Sequence, residues 1–175
     1  MIFGVNAIDP ASVALGAAKA WREPSAAGKA KAGRSAAAAD LSHVKRLADA
    51  HRHELGFVLL PSLREQIERG QLLVAVNTDA PDHADPVGFV DFHRRRDGQV
   101  TLYHIIVASP SRAQGVGRAL LEALAGVARR ADCTRITLKC PVDLPANEFY
   151  RHNGFRLEET LDGRKRALNM WVLEL

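Results

Sequence analysis

Cysteine is nearly missing from this chain: Cys133 and Cys140 are the only two in 175 residues. They lie too far apart for a Cys-x-x-Cys redox or zinc pair, and so low a count excludes a disulfide scaffold, so both read as small core thiols. No apolar run approaches the ~20 residues that span a bilayer, so no membrane segment is expected. Met1 to Asn6 have neither the basic start nor the long apolar centre of a secretory signal, and a cytoplasmic location is the expectation. His51 and His53 lack a matching second ligand pair, so His51-Arg52-His53-Glu54 reads as exposed loop polarity and no metal is expected. No internal repeat is visible.

What is present suits one domain. Apolar residues make up 47% of the chain and charged residues 25%, ordinary values for a soluble globular protein of this length. The net charge of +4 is unevenly spread: residues 1–39 carry Lys19, Arg22, Lys29, Lys31 and Arg34 against only Asp9 and Glu23. That segment is rich in Ala, Gly and Lys and poor in large apolar side chains. It reads as a poorly packed extension, with a short helix around Ser12 to Trp21, ahead of a folded domain over 40–175. Because the excess charge sits there, it is weak evidence that the folded body binds nucleic acid.

Ordered structure is expected from Asp40, a good helix cap, since Leu41, Val44, Leu47 and Ala48 share one helical face. After a linker over 51–60, Pro61 to Arg69 reads as a second helix closed by Gly70. Leu72–Val76, Val87–His93 and Gln99–Val107 read as strands, the last two joined at Asp97-Gly98 by a tight primed hairpin turn. Val116, Leu120, Leu121, Leu124, Val127 and Ala128 trace the stripe of a long amphipathic helix. Strand Arg135–Cys140, a short helix from Pro145 to Asn153 ended by Gly154, and strand Leu168–Leu173 follow. A strand on each side of a long helix implies a crossover and a mixed sheet.

The residues that carry chemistry begin where strand Gln99–Val107 runs into Arg112, Ala113, Gln114, Gly115, Val116, Gly117 and Arg118. A strand, a glycine turn and an open helix N-terminus converge unpaired backbone N–H groups on one point, which suits phosphate. Gly115 and Gly117 leave room for close approach, and Arg112 and Arg118 add charge. The loop lacks the Gly-Lys-Ser/Thr ending of a Walker loop and is not the Gly-x-Gly-x-x-Gly dinucleotide fingerprint.

Arg112, Gly115 and Gly117 spell Arg/Gln-x-x-Gly-x-Gly/Ala, and Ala146, Phe149, Tyr150, Gly154 and Phe155 spell Ala-x-x-Phe/Leu-Tyr-x-x-x-Gly-Phe. The two motifs, in this order, resemble the signatures of the GNAT superfamily of N-acetyltransferases. Val107 also stands where that family ends its fourth strand with valine, and the resemblance extends over residues 40–175. It implies an α/β (α+β) fold: a single-domain, mostly antiparallel mixed sheet flanked by helices, with a splay between the fourth and fifth strands. The sequence departs from the family at Ala30–Ala39, where the first strand should lie but no Val, Ile or large aromatic occurs, and at Asp143, where an asparagine is common.

By the same resemblance, acetyl-CoA is the co-substrate. Its pyrophosphate would lie on the backbone from Gln114 to Arg118, its pantetheine arm beside Tyr103–Val107 including Ile106, and Asn147 would stand in for the missing asparagine. Tyr150 matches the family's general acid; the plainer alternative is a core aromatic beside Phe149 and Phe155. For a base, His104 on the strand beside the thioester is the candidate, since an ordinary imidazole titrates near neutrality, with Asp91 and His93 as alternatives. The expected reaction is acetyl transfer to a primary amine of a small molecule or peptide. The rivals are an amine carried on RNA, such as aminoacyl-tRNA, with Arg94 to Arg96 as phosphate contacts, and a regulatory module that binds acetyl-CoA without turnover. No membrane partner is expected, and the resemblance implies a homodimer.

Overall fold

The computed structural model describes residues 33–76 and 85–175, so the expected helix around Ser12 to Trp21 lies outside the described residues. The described chain forms one seven-stranded sheet in the order β1-β2-β3-β4-β5-β7-β6. Its strands are β1 (Gly33–Ser35), β2 (Leu72–Ala75), β3 (Gly88–Arg94), β4 (Gln99–Val107), β5 (Arg135–Pro141), β6 (Arg156–Leu161) and β7 (Leu168–Glu174). Every pairing is antiparallel except β4 with β5. The helices are α1 (Leu41–Ala50), α2 (Arg52–Leu55), α3 (Leu60–Glu68), α4 (Val116–Arg130) and α5 (Ala146–His152). No helix among the described residues is long and apolar enough to cross a membrane.

Alternation along the strands sends side chains to two cores. Leu73, Val90, Val100 and Leu102 meet Leu120, Leu124 and Tyr150 from α4 and α5. Leu72, Val74, Phe89 and Ile106 meet Val44, Ala48 and Leu63 from α1 and α3 on the opposite face. Leu63, Leu120 and Leu124 are wholly buried, and each such side chain contributes about 1.5–3 kcal/mol of burial free energy. The sheet is therefore a wall between two helical layers, and a gap in it is reachable from both sides.

Four details differ from expectation. Sheet pairing starts at Gly33 rather than after Asp40, because glycine is what α4 requires there: a Cβ on Gly33 would lie 2.6 Å from the Cβ of Ala123. A strand held by close approach of a helix needs no β-branched residues. The Asp97-Gly98 hairpin is not a primed turn, since only Gly98 has positive φ (75°); Arg95 N–H donates to the Gln99 carbonyl (2.8 Å), leaving a three-residue loop with glycine in the left-handed position. Residues 51–60 contain the short helix α2. Finally, β6 was unanticipated because its edge position leaves Arg156, Leu157, Glu159 and Thr160 exposed, so no apolar alternation marks it.

Asp40 does not cap α1 through its side chain. Its carboxylate, 6% exposed, instead accepts from the Arg34 guanidinium at 2.7 and 3.0 Å and from Ala37 N–H at 2.8 Å, tying β1 to the start of α1. The Arg34 bonds hold the Asp40 carboxyl below its ordinary range, against the opposing effect of burial. Its contribution to stability is thus present above the ordinary carboxylate range and lost as pH falls through the lowered value. Arg34 is 40% exposed, so screening limits the cost of Asp40→Asn to about 1–2 kcal/mol at pH 7. Denaturant titrations of wild type and variant should converge in acid; a gap that persists unchanged at the lowest pH would refute this role.

Candidate active site

The site begins at a break in the sheet. β4 and β5 pair only at Gln99↔Arg135, Val100↔Ile136 and Thr101↔Thr137, and beyond these residues they separate. On the other edge of β4 the register slips: Asp91 faces His104 but Phe92 faces Leu102, which leaves Tyr103 as an extra, bulged residue. Leu102, Ile105 and Val107 pack toward α4, whereas Ile106 packs toward α1 and α3. Alternation then puts His104 on the α1/α3 face, alongside Tyr103, which stacks on His93 with ring centroids 6.4 Å apart.

The separation opens a cleft of about 1140 Å³, walled by β4, the start of α4, β5, α5 and the loop between β6 and β7. At its α4 end the chain leaves β4 through a short 3₁₀ turn (Ser109–Ser111) and passes through two left-handed residues, Ala113 (φ 57°) and Gly115 (φ 79°). The first backbone bond of α4 is Ala119 N–H to the Gly115 carbonyl (2.9 Å), and the N–H groups of Gly115, Val116, Gly117 and Arg118 have no acceptor among the described residues. Four open amides at the positive end of a 15-residue helix are suited to an anion, the role expected of this loop. Gln114 closes the loop by donating from Nε2 to the Pro110 carbonyl (2.8 Å).

The two glycines serve different ends. Gly115 faces open space and supplies the left-handed turn, while a Cβ at Gly117 would lie 3.0 and 3.2 Å from the ring of Phe149. Gly117 thus lets α5 pack against α4. Arg112 lines the cleft and is also engaged within the protein: its Nε donates to the Val107 carbonyl (3.1 Å), and its terminal NH₂ lies 3.1 Å from His51 Nδ1 and 3.3 Å from Glu54 Oε2. It braces the end of β4 against α2. His51 is accordingly buried, at 7% exposure, and is not the exposed loop residue that the sequence suggested. Arg118 pairs with Glu122 at 2.9 Å.

Tyr150 reaches the cleft from α5, held edge-on between Phe149 (5.5 Å) and Phe155 (5.6 Å). Burial, together with the neighbouring Cys140, pushes its phenol far above the usual tyrosine range, so it stays protonated. Its hydroxyl has no hydrogen-bond partner among the described residues. Burial also pushes the Cys140 thiol up to about 11, which keeps it neutral and unsuited to nucleophilic attack near pH 7.

Across the splay, His104 Nδ1 lies 2.9 Å from Asp91 Oδ2. Asp91 is 4% exposed and its other oxygen is buried without a partner among the described residues, where the imidazole is the carboxylate's side-chain partner. His93 lies 3.1 Å from Gln71 Oε1, and neither it nor Asp91 lines the cleft. Asn147 is fully engaged elsewhere: its amide N donates to the Pro141 and Leu144 carbonyls (both 2.8 Å) and its oxygen accepts from Asn169 (3.1 Å) and the Trp171 indole (2.9 Å). Asp143 pairs with Arg166 at 3.0 Å. No group of three His, Cys, Asp or Glu side chains suited to a metal occurs among the described residues. The sequence reading missed Lys139, Arg164, Lys165 and Arg166, which line the cleft from β5 and the β6–β7 loop. A basic run directly after Gly163 was the available signal.

An open helix N-terminus beside a splayed parallel pair, with a protonated phenol in the gap, is an arrangement suited to holding an anionic group next to a proton donor. Residues 39–155 match the Acetyltransferase (GNAT) family. Among solved structures, Ard1 from Thermoplasma volcanium is similar at 18% identity over 83% of this chain and 98% of that one, with a TM-score of 0.71. A ribosomal-protein-alanine N-acetyltransferase from Brucella melitensis is similar at 24% identity, over 82% of this chain and 99% of that one (TM-score 0.66). The PaiA N-acetyltransferase from Thermoplasma acidophilum, in complex with coenzyme A, is similar at 16% identity, over 82% and 98% (TM-score 0.67). The chain belongs to the GNAT family and is an acetyl-CoA-dependent N-acetyltransferase.

A side chain branched at Cβ is strained at the φ of 79° that Gly115 adopts. Gly115→Val should therefore turn the amides away and weaken coenzyme A binding by about tenfold or more, ~1.4 kcal/mol, in calorimetry. Binding of wild-type strength in a folded variant would separate the cradle from the cofactor.

Proposed function

We propose that the protein acetylates a primary amine of a small molecule or peptide by direct attack, with Tyr150 as general acid and His104 as general base. One observation carries this reading: the two proton-handling groups lie on opposite faces of the splay, Tyr150 with α4 and α5 and His104 toward α1 and α3. Each reactant can then enter from its own side.

The amides of Gly115 to Arg118, with the loop through Arg112, Ala113 and Gln114, would hold the pyrophosphate, and the free edge of β4 at Ile106 and Val107 would guide the pantetheine arm. Acetyl-CoA supplies a thioester carbonyl, at which the amine adds as the carbon–sulfur bond breaks. His104 takes the amine's proton at the ring nitrogen left free by Asp91, and Asp91 holds the ring in place as a positioning residue. Tyr150 delivers its phenolic proton to the departing sulfur. A covalent route through Cys140 is disfavoured by its neutral thiol. The Arg94–Arg96 turn belongs to the paired beginning of β4, away from its splayed end, and lends no support to an RNA-borne acceptor.

Removing one positioned proton donor or acceptor costs about 10²–10⁴ in rate. Tyr150→Phe should lower kcat within that range while calorimetric coenzyme A affinity stays unchanged. His104→Gln should change the shape of the pH–rate profile, and Asp91→Asn should shift it. A Tyr150→Phe enzyme of undiminished kcat removes the acid; a profile identical in all three proteins removes the base.

A further inference from the structure

We infer that the acceptor carries a carboxylate close to its amine, recognised by Lys139 of β5 and by Arg164 and Lys165 of the β6–β7 loop. The inference rests on the acetyl-transfer reading and specifies its second substrate.

Half of the lysine and arginine side chains lining the cleft are already matched. Arg112 meets Glu54 at 3.3 Å, Arg118 meets Glu122 at 2.9 Å and Arg166 meets Asp143 at 3.0 Å. Lys139, Arg164 and Lys165 line the same cleft, and their side chains form no ion pair or hydrogen bond among the described residues. The position of Lys139 indicates which substrate it serves. Leu138 and Cys140 belong to the α4-side core, so alternation puts Lys139 on the opposite face, the one His104 occupies. That is the acceptor's side, across the splay from the phosphate cradle.

The loop that bears Arg164 and Lys165 is held in shape. The Arg166–Asp143 pair fastens it to the segment after β5, and Val142 N–H donates to the Ala167 carbonyl at 3.1 Å. Gly163 permits its tight path, since a Cβ there would lie 2.2 Å from the Arg166 carbonyl oxygen. Two exposed cations on an anchored loop and a half-buried lysine on the adjacent strand make a positive wall with Glu54 as the only acidic residue lining the cleft.

Such a wall acts twice. It attracts a carboxylate, and it disfavours the ammonium form of an incoming amine, easing the deprotonation that attack requires. A carboxylate on the acceptor offsets the repulsion that would otherwise keep the amine out.

The test uses the full-length enzyme, acetyl-CoA and two sets of acceptors: Ser-Asp, Ser-Asn and Ser-Lys peptide amides, and free alanine against alaninamide. Thiol release gives kcat/KM, and calorimetry gives coenzyme A affinity. The carboxylate-bearing member of at least one set should exceed its amide isostere by about tenfold, which identifies peptide or free amino acid as the source, and salt should narrow the gap. Arg164→Glu combined with Lys165→Glu should abolish or invert the preference and leave coenzyme A affinity unchanged. No preference in either set, or a preference for Ser-Lys, overturns the inference. So does a double variant that keeps the ranking but loses coenzyme A affinity, which would assign the cations to the cofactor. Absence of thiol release with every acceptor, despite intact coenzyme A binding, sinks the acetyl-transfer reading itself and this inference with it.

Discussion

Three residue pairs hold β4 to β5, and the loss of pairing beyond Thr101 and Thr137 is the constraint from which the site follows. An unpaired strand edge in a sheet interior exposes backbone donors and acceptors that a substrate amide can satisfy. The gap persists because each strand is held firmly on its other side: β4 by β3 along its whole length, and β5 by seven register pairs with β7. α4 and α5 then close one face of the gap, and Gly117 allows them to meet at Phe149.

Around this gap, burial sets the chemistry. The Tyr150 phenol is kept protonated between two aromatic rings, and the Cys140 thiol beside it is kept neutral by the same desolvation. The bulge at Tyr103 turns His104 toward the other face, where Asp91 fixes it. The phenol and the imidazole are thus separated by the sheet itself.

Arg112 links the two ends of the site. It was expected to contribute charge to a phosphate, yet its hydrogen bonds run to the end of β4, to buried His51 and to Glu54. The loop that leads into α4 and the short helix α2 are therefore one braced unit. Asn147 shows the same lesson from α5: its amide caps the end of β5 and its oxygen accepts from the Trp171 indole, a structural role that the sequence did not suggest.

The long stripe of α4, the β-branched run of β4 and the motifs at Arg112–Gly117 and Ala146–Phe155 were legible in the residues alone, because periodicity and glycine conformations are local properties. They determined the family, and they singled out the open N-terminus of α4 and Tyr150 as the residues to look at. What depends on neighbours distant in the chain was decided only by the tertiary structure. β1 exists because α4 crosses Gly33, β6 because β7 offers it an edge, and His104 is singled out from the histidines because a bulge on β4 and a buried carboxylate on β3 meet there. Lys139 and Arg164 to Arg166 join the site for the same physical reason: which charges face a common cleft depends on how strands are ordered across the sheet, and no local pattern encodes that order.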